Sequence, residues 1–333
     1  MSTPTPVAVT GAEGFIGSHL VEALVASGRR VRAMVQYNSF SSHGWLEVLP
    51  PDVRDCVEVV MGDVRDPGSV RGLVAGCDTV YHLAALIAIP YSYRAPRSYV
   101  DTNVTGTLNV LEAVRESGVP RLVHTSTSET YGTAQTVPIS EDHPIVTQSP
   151  YAASKAGGDR LADSYHASFG TPVVTLRPFN TFGPRQSMRA VIPTVIGQVA
   201  AGERTVTLGD LRPTRDFTFV RDTAAAFLAV GTAPAGKVVG RTFNAGTGGE
   251  ISVGELVTLI GTLMDAELTV VSDPQRLRPA GSEVMRLVCD ARRLREATGW
   301  EPAHKLADGL AETVAFFRDP ANLARYKTAA YNV

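Results

Sequence analysis

Val7-Ala-Val-Thr10-Gly11-Ala-Glu-Gly14-Phe-Ile-Gly17 decides the fold of this chain. The first four residues are apolar or β-branched and read as a short strand. Glycines follow at once at 11, 14 and 17, and Ile16, Leu20, Leu24 and Val25 then recur on one helical face up to Gly28. Strand, glycine turn and helix in that order present the amides of a helix N-terminus to an incoming pyrophosphate. The spacing is GxxGxxG rather than the GxGxxG of many dinucleotide sites, but the physical demand is the same. The turn must close, the backbone must approach the phosphates, and the helix must start against the strand. A plain tight turn would also use glycines; the flanking strand and helix favour the nucleotide.

Working outward, short β-rich runs recur at 31–35, 57–60, 79–85, 121–125 and 173–177. Helical stretches lie between them, around 70–75 and from Asn103 to Gly118. Regular alternation predicts an α/β fold, a Rossmann-type doubly wound parallel sheet with ligands beyond the strand C-termini. After Arg177 the alternation loosens, with a helix over 190–201, a short strand at 206–209 and a helix from Thr223. The expected division is therefore 1–178, a dinucleotide-binding domain, and 179–333, a smaller α/β substrate domain, with some strands and helices returning to the first. The second strand ends in Gln36-Tyr-Asn-Ser39, where a carboxylate often holds the adenosine ribose. No carboxylate stands there to repel a 2′-phosphate and no arginine to attract one, so the choice between NAD and NADP is open. Asp63 follows a strand and either meets an adenine amino group or caps a turn. His82 has no partner at ligand spacing and reads as a packed histidine.

Chemistry is concentrated in three stretches. Tyr151-Ala-Ala-Ser-Lys155 sets a phenol and an ammonium one helical turn apart on one face. The ammonium is expected to lower the phenol's pKa, and a nearby cationic nicotinamide lowers it further, towards a general base at neutral pH. Thr127-Ser128-Glu129 follows the strand at 121–125, where the fold places ligands; Glu129 is either a carboxylate carried into the crevice or a cap. Arg185, Arg215 and Arg278 are spread over the second half. Each alone is an ordinary surface arginine. As a set, Arg215 and Arg278 suit the forked hydrogen bonds of a diphosphate.

The 333 residues are 44% hydrophobic with a formal charge of −2, which gives no reason to expect a nucleic-acid partner. Three scattered cysteines, Cys56, Cys77 and Cys289, form no CxxC pair and predict neither a metal site nor a disulfide framework. A reducing cytoplasm suits them. No targeting segment and no membrane-length apolar run is visible.

Together these stretches resemble the extended short-chain dehydrogenase/reductase family of nucleotide-sugar epimerases and dehydratases. The resemblance rests on residues 10–17, Asp63, His82-Leu-Ala-Ala85, Asn103-Val-Thr-Gly-Thr107, Tyr151 with Lys155, Arg177-Pro-Phe-Asn180 with Gly183-Pro-Arg185, and Arg215-Asp-Phe-Thr218 with Asp222. It implies a tightly bound NAD or NADP, no metal, and usually a homodimer. For the cofactor it implies Gly11, Gly14, Phe15, Ile16, Gly17, Asn38, Ser39, Asp63, Val64, Leu83, Ala84, Ala85 and Asn103, with Tyr151 and Lys155. For a nucleotide-diphospho-hexose or hexosamine it implies Asn180, Arg185, Arg215 and Arg278. Thr127, Ser128 and Glu129 match the tripeptide of the 4,6-dehydratases, and Tyr37-Asn-Ser39, Arg177–Arg185 and Ser282-Glu-Val284 look like bacterial hexosamine dehydratases of legionaminic-acid pathways.

The chemistry this implies is oxidation at C4 with Tyr151 taking the hydroxyl proton, removal of the C5 proton by Glu129, loss of water from C6 and hydride return to C6. Catalytic residues would be Thr127, Ser128, Glu129, Tyr151 and Lys155. Ser128 stands where dTDP-glucose enzymes of the family use an aspartic acid, so either Glu129 shuttles both protons or water donates through Ser128. A UDP-glucuronate decarboxylase, a 4-epimerase and a non-catalytic NAD(P)-binding regulator are the alternatives.

Overall fold

The structure is a computed structural model that describes residues 5–328. Its main sheet has seven parallel strands: β1 (Val7–Thr10), β2 (Val31–Gln36), β3 (Val57–Gly62), β4 (Thr79–His82), β5 (Leu122–Thr125), β6 (Val173–Pro178) and β7 (Thr242–Ala245). Their order is β7-β6-β5-β4-β1-β2-β3, with every neighbour parallel. The chain winds one way from β1 to β3 and the other way from β4, so a crevice opens above the ends of β1 and β4. The strands are short, and the central ones, β1, β4, β5 and β6, are almost wholly buried, as expected of a sheet covered on both faces.

Helices α1 (Phe15–Ala26), α2 (Pro67–Val74), α3 (Gly106–Ser117) and α4 (Pro150–Phe169) belong to the first half. The second half supplies α5 (Val191–Ala200), α6 (Val220–Thr232), α7 (Val253–Met264) and α8 (Leu306–Arg318). One core joins the sheet to α1 and α6 through Leu20, Leu24, Val123, Phe227 and Val230. The other face packs Val80, Leu122 and Val173 against α2, α3 and α4 through Val70, Leu73, Val110, Val114 and Ala162. A third core lies in the second half, around Phe182, Ile192, Val206, Leu256 and Phe317.

The last strand and α6 thus come from beyond residue 178 and complete the sheet and the helical layer against α1. β7 is four residues long, and its Asn244 and Ala245 give little strand signal, so it is defined by its pairing with β6. The glycine turn closes as its sequence demands. Gly11 has φ +67° and lies so near the end of β4 that a Cβ would meet Ala84 N at 2.8 Å; at Gly17 a Cβ would meet Gly11 O at 2.1 Å.

Candidate active site

Three elements converge at the crevice. β5 ends in Thr125, and the short turn Ser128–Tyr131 carries Glu129 just beyond it, with the Thr127 hydroxyl accepting the Glu129 amide at 3.3 Å. α4 then passes beneath. Its start is fixed by Ser149, whose hydroxyl accepts the Ala152 amide, by Pro150 in the first turn, and its end by Gly170 in the left-handed conformation. Its buried stripe, Tyr151, Ser154, Lys155, Gly158, Asp159 and Ala162, faces β5 and α3. Phenol and ammonium are buried on one face, as their spacing predicts.

The electrostatics differ from the sequence expectation. Burial pushes the Tyr151 phenol well up; a hydrogen bond with Thr127 opposes this, and the Glu129 charge adds to it. The Lys155 ammonium donates instead to the Thr125 carbonyl at 2.6 Å. Burial brings Lys155 down to about 8, although the nearby Asp159 carboxylate holds it up. Desolvation is therefore the largest influence on the phenol, and the Thr127 hydrogen bond rather than the lysine is what opposes it.

Asp159 organises the charges below. Its Oδ1 meets His124 Nε2 at 3.0 Å, and its Oδ2 accepts from Ser126 at 2.6 Å and from Arg177 Nη2 at 2.9 Å. Arg177 also donates to Tyr131, whose hydroxyl donates to Asn244 of β7. Sequence reading missed this cluster because its members lie on β5 and the turn after it, α4, β6 and β7. The i, i+4 spacing of Lys155 and Asp159 on α4 is the one local signal. His82 is packed, bonded to Thr10 at 2.8 Å and Thr107 at 3.1 Å.

Over the crevice lie residues from the second half. Arg278 Nη1 stands 3.9 Å from Glu129 Oε2 and 3.7 Å from Glu283 Oε1, and Arg215 Nη2 donates to Glu283 at 3.3 Å. Arg278 Nη1 is buried without a hydrogen-bond partner, a donor ready for an anion. Asn180 sits beside this group, with Nδ2 3.5 Å from the Asp216 carbonyl. Arg185 is not brought there: it donates to Glu22 at 2.8 and 3.0 Å and to Ser18 at 3.2 Å, over α1. It belongs to a loop whose turn at 183–185 points it back at that helix, which sequence spacing does not reveal.

The nucleotide end is equally specific. Thr10 Oγ1 accepts the amides of Leu83 and Ala84, pinning the loop with Ala85 beside the glycine turn. Gly14, the N-cap of α1, offers no side chain to the helix amides ahead of Phe15, Ile16 and Gly17, so that end is open to phosphate oxygens. Asn103 engages its whole amide, with Leu86 N and O and with Ser154, and braces the loop against α4. Asn38 accepts from Phe40 and Ser42 and donates to Gln36 and Ser42, shaping a loop on which Ser39 is exposed. Asp63 accepts the Arg65 amide at 2.8 Å and pairs with the Arg65 guanidinium, so it does cap a turn; Val64 is buried next to it. The residues present fit a dinucleotide.

Among the described residues, no group of three or more His, Cys, Asp or Glu is arranged to hold a metal. No described helix is long and apolar enough to cross a membrane.

Removing the buried ammonium tests this balance. Below pH about 8 the fold carries the cost of a desolvated charge, which vanishes as pH rises from there towards ~10.4, where an unfolded lysine titrates. Lys155→Met is therefore expected to melt above the wild type at neutral pH, with a margin that shrinks by pH ~10 in thermal denaturation. A margin that grows with pH would contradict the assignment.

A sequence model of the GDP-mannose 4,6 dehydratase family matches residues 8–313. The chain is 37% identical to a UDP-glucose 4-epimerase of Mycolicibacterium smegmatis, over 93% of this chain and 98% of that one. It is 34% identical to a dTDP-glucose 4,6-dehydratase of an Actinoplanes species, over 94% and 97%. Among solved structures, the double mutant of DesIV, a dTDP-glucose 4,6-dehydratase of Streptomyces venezuelae with NAD and DAU bound, superposes with a TM-score of 0.84. That pair is 29% identical, with 96% of this chain and 98% of that chain covered. A crevice with Tyr151 and Lys155 below, arginines above and a glycine turn at one end accords with these matches, and the chain belongs to the extended short-chain dehydrogenase/reductase family of nucleotide-sugar epimerases and dehydratases.

Proposed function

We propose that this chain is a nucleotide-diphospho-sugar 4,6-dehydratase, acting on a hexose or hexosamine and giving a 4-keto-6-deoxy product. The observation that carries the reading is Glu129, a largely buried carboxylate held in the crevice beside Tyr151 and Arg278. An epimerase needs only oxidation and re-reduction at C4. A carboxylate next to the phenol, as a second proton-transfer group, is what elimination across C5 and C6 requires. A 4-epimerase remains the second reading because of the similarity to the mycobacterial enzyme.

The glycine turn and the loops at 38–39, 63–64 and 83–85 would hold NAD or NADP tightly, and when bound it would supply hydride chemistry at C4 and C6. The chain's residues do the rest. Thr127 holds the sugar hydroxyl against Tyr151, and Tyr151 takes the C4 hydroxyl proton, with Lys155 helping it to ionise. Once C4 is a ketone, H5 is acidic and Glu129 removes it. The C6 hydroxyl leaves as water with a proton from Glu129 itself, or from a water held by Ser128, and C5 takes a proton back once hydride has added at C6, balancing the one Tyr151 removed from the C4 hydroxyl. Arg215 and Arg278 grip the diphosphate with Asn180 beside them, and Arg185 anchors the turn that follows the short strand Asn180–Phe182. The working assembly is a homodimer in the cytoplasm.

Mass spectrometry of the purified protein incubated with UDP-, GDP- and dTDP-hexoses, without added reductant, tests the reading. Loss of one water from one sugar nucleotide is the expected result and names the substrate. An unchanged mass with an altered sugar NMR spectrum means epimerisation and overturns the dehydratase reading. Release of carbon dioxide from UDP-glucuronate means decarboxylation.

A further inference from the structure

The sequence leaves NAD and NADP undecided because β2 ends in Gln36 where a carboxylate commonly binds the adenosine ribose. A carboxylate stands there nevertheless. Glu13, the residue before the second glycine of the turn, reaches over the strand end, and its Oε1 accepts the Gln36 amide at 2.9 Å.

Its position is enforced from behind. The Glu13 carbonyl accepts the Trp45 amide at 3.0 Å, and Trp45 is packed against Phe316 and Tyr326. Gly44 has φ +56°, and a Cβ there would meet Glu13 O at 2.8 Å and Glu13 Cβ at 3.0 Å, so the loop at 44–45 walls the side chain in. Glu13 Oε2 is shielded from water with no hydrogen-bond partner. Burial raises the pKa of this carboxyl, while the Gln36 amide works against that and favours the charged form. Arg65, the arginine just beyond neighbouring β3, is engaged by Asp63 through three of its donor contacts.

We propose that Glu13 is the specificity-determining residue for the cofactor, selecting an adenosine ribose with a free 2′-hydroxyl and so NAD over NADP. It performs from the glycine turn the task that a strand-end Asp or Glu performs elsewhere. A 2′-phosphate would bring a second anion to a partly buried carboxylate that cannot swing away, and nothing at 36–39 offers it a cation. A ribose hydroxyl carries no charge and meets no such repulsion. The inference rests on the cofactor reading made above.

Calorimetric titration of the purified protein, freed of resident nucleotide, with NAD+ and with NADP+ tests it. The wild type is expected to bind NAD+ more tightly by about tenfold or more, the cost of one unfavourable charge pair. Glu13→Gln keeps an acceptor for the Gln36 amide and removes the charge. It is expected to narrow the preference by about tenfold, chiefly through tighter NADP+ binding. Glu13→Ala serves the same comparison if the Gln variant does not fold. Equal affinities in the wild type, a wild-type preference for NADP+, or an unchanged ratio in a variant that melts like the wild type would overturn the proposal while leaving the cofactor reading intact. Binding of neither nucleotide would overturn both.

Discussion

Glu129→Gln is expected to lower dehydration by about 10²–10⁴-fold, the range for removal of a positioned general base. Oxidation at C4 should survive, because the proton involved there is taken by Tyr151 and the amide keeps the shape of the crevice. Two readouts separate the steps. Exchange of solvent deuterium into C5 should disappear, while the near-ultraviolet absorbance of reduced nicotinamide should still develop on mixing with substrate. Tyr151→Phe should lose both signals. The phenol is buried beside Thr127, and Phe leaves no group to take the hydroxyl proton. Full dehydration by Glu129→Gln alongside an inactive Tyr151→Phe would remove Glu129 from the chemistry. It would leave Glu129 as a counter-charge for Arg278, 3.9 Å away.

The second large effect concerns the charges under the site. Asp159 is buried with side-chain exposure of 3% and bonded to His124, Ser126 and Arg177. Burial alone would raise its carboxyl; the His124 hydrogen bond and the Arg177 charge overcome this and hold it far below the usual carboxylate range. Asp159→Ala strands the buried Arg177 guanidinium and is expected to cost about 3–5 kcal/mol, read as a lower denaturant midpoint. Because the folded carboxyl is depressed, its contribution is fully present above pH about 4 and is lost only as pH falls below that. The gap between wild type and Asp159→Ala should therefore be constant through neutral pH and close in acid. Lys155 also loses the charge that keeps it protonated, so turnover should fall with stability.

Much of the site is local in origin and is legible for that reason. The glycine turn, the Tyr151 and Lys155 pair and the Thr127-Ser128-Glu129 tripeptide each occupy a few consecutive residues, and a strand, a turn or one helical face places them without help from elsewhere. The alternation of short β-rich runs with helices likewise dictates a parallel doubly wound sheet, since parallel neighbours need helical crossovers.

What crosses between elements was decided by tertiary structure alone. The four residues of β7 become a strand because β6 offers an unpaired edge. Arg185 turns to Glu22 on α1, whereas Arg278, with no stronger local signal, reaches Glu129. The balance at Tyr151 and Lys155 was settled by burial, a property of the whole packed domain that the i, i+4 spacing cannot register. The sequence by itself determined the first six strands, the turn and the local groups Thr127-Ser128-Glu129, Tyr151 and Lys155 near the crevice. The tertiary structure decided their charge states and partners, because desolvation and long-range pairing depend on what packs against a residue rather than on what precedes it.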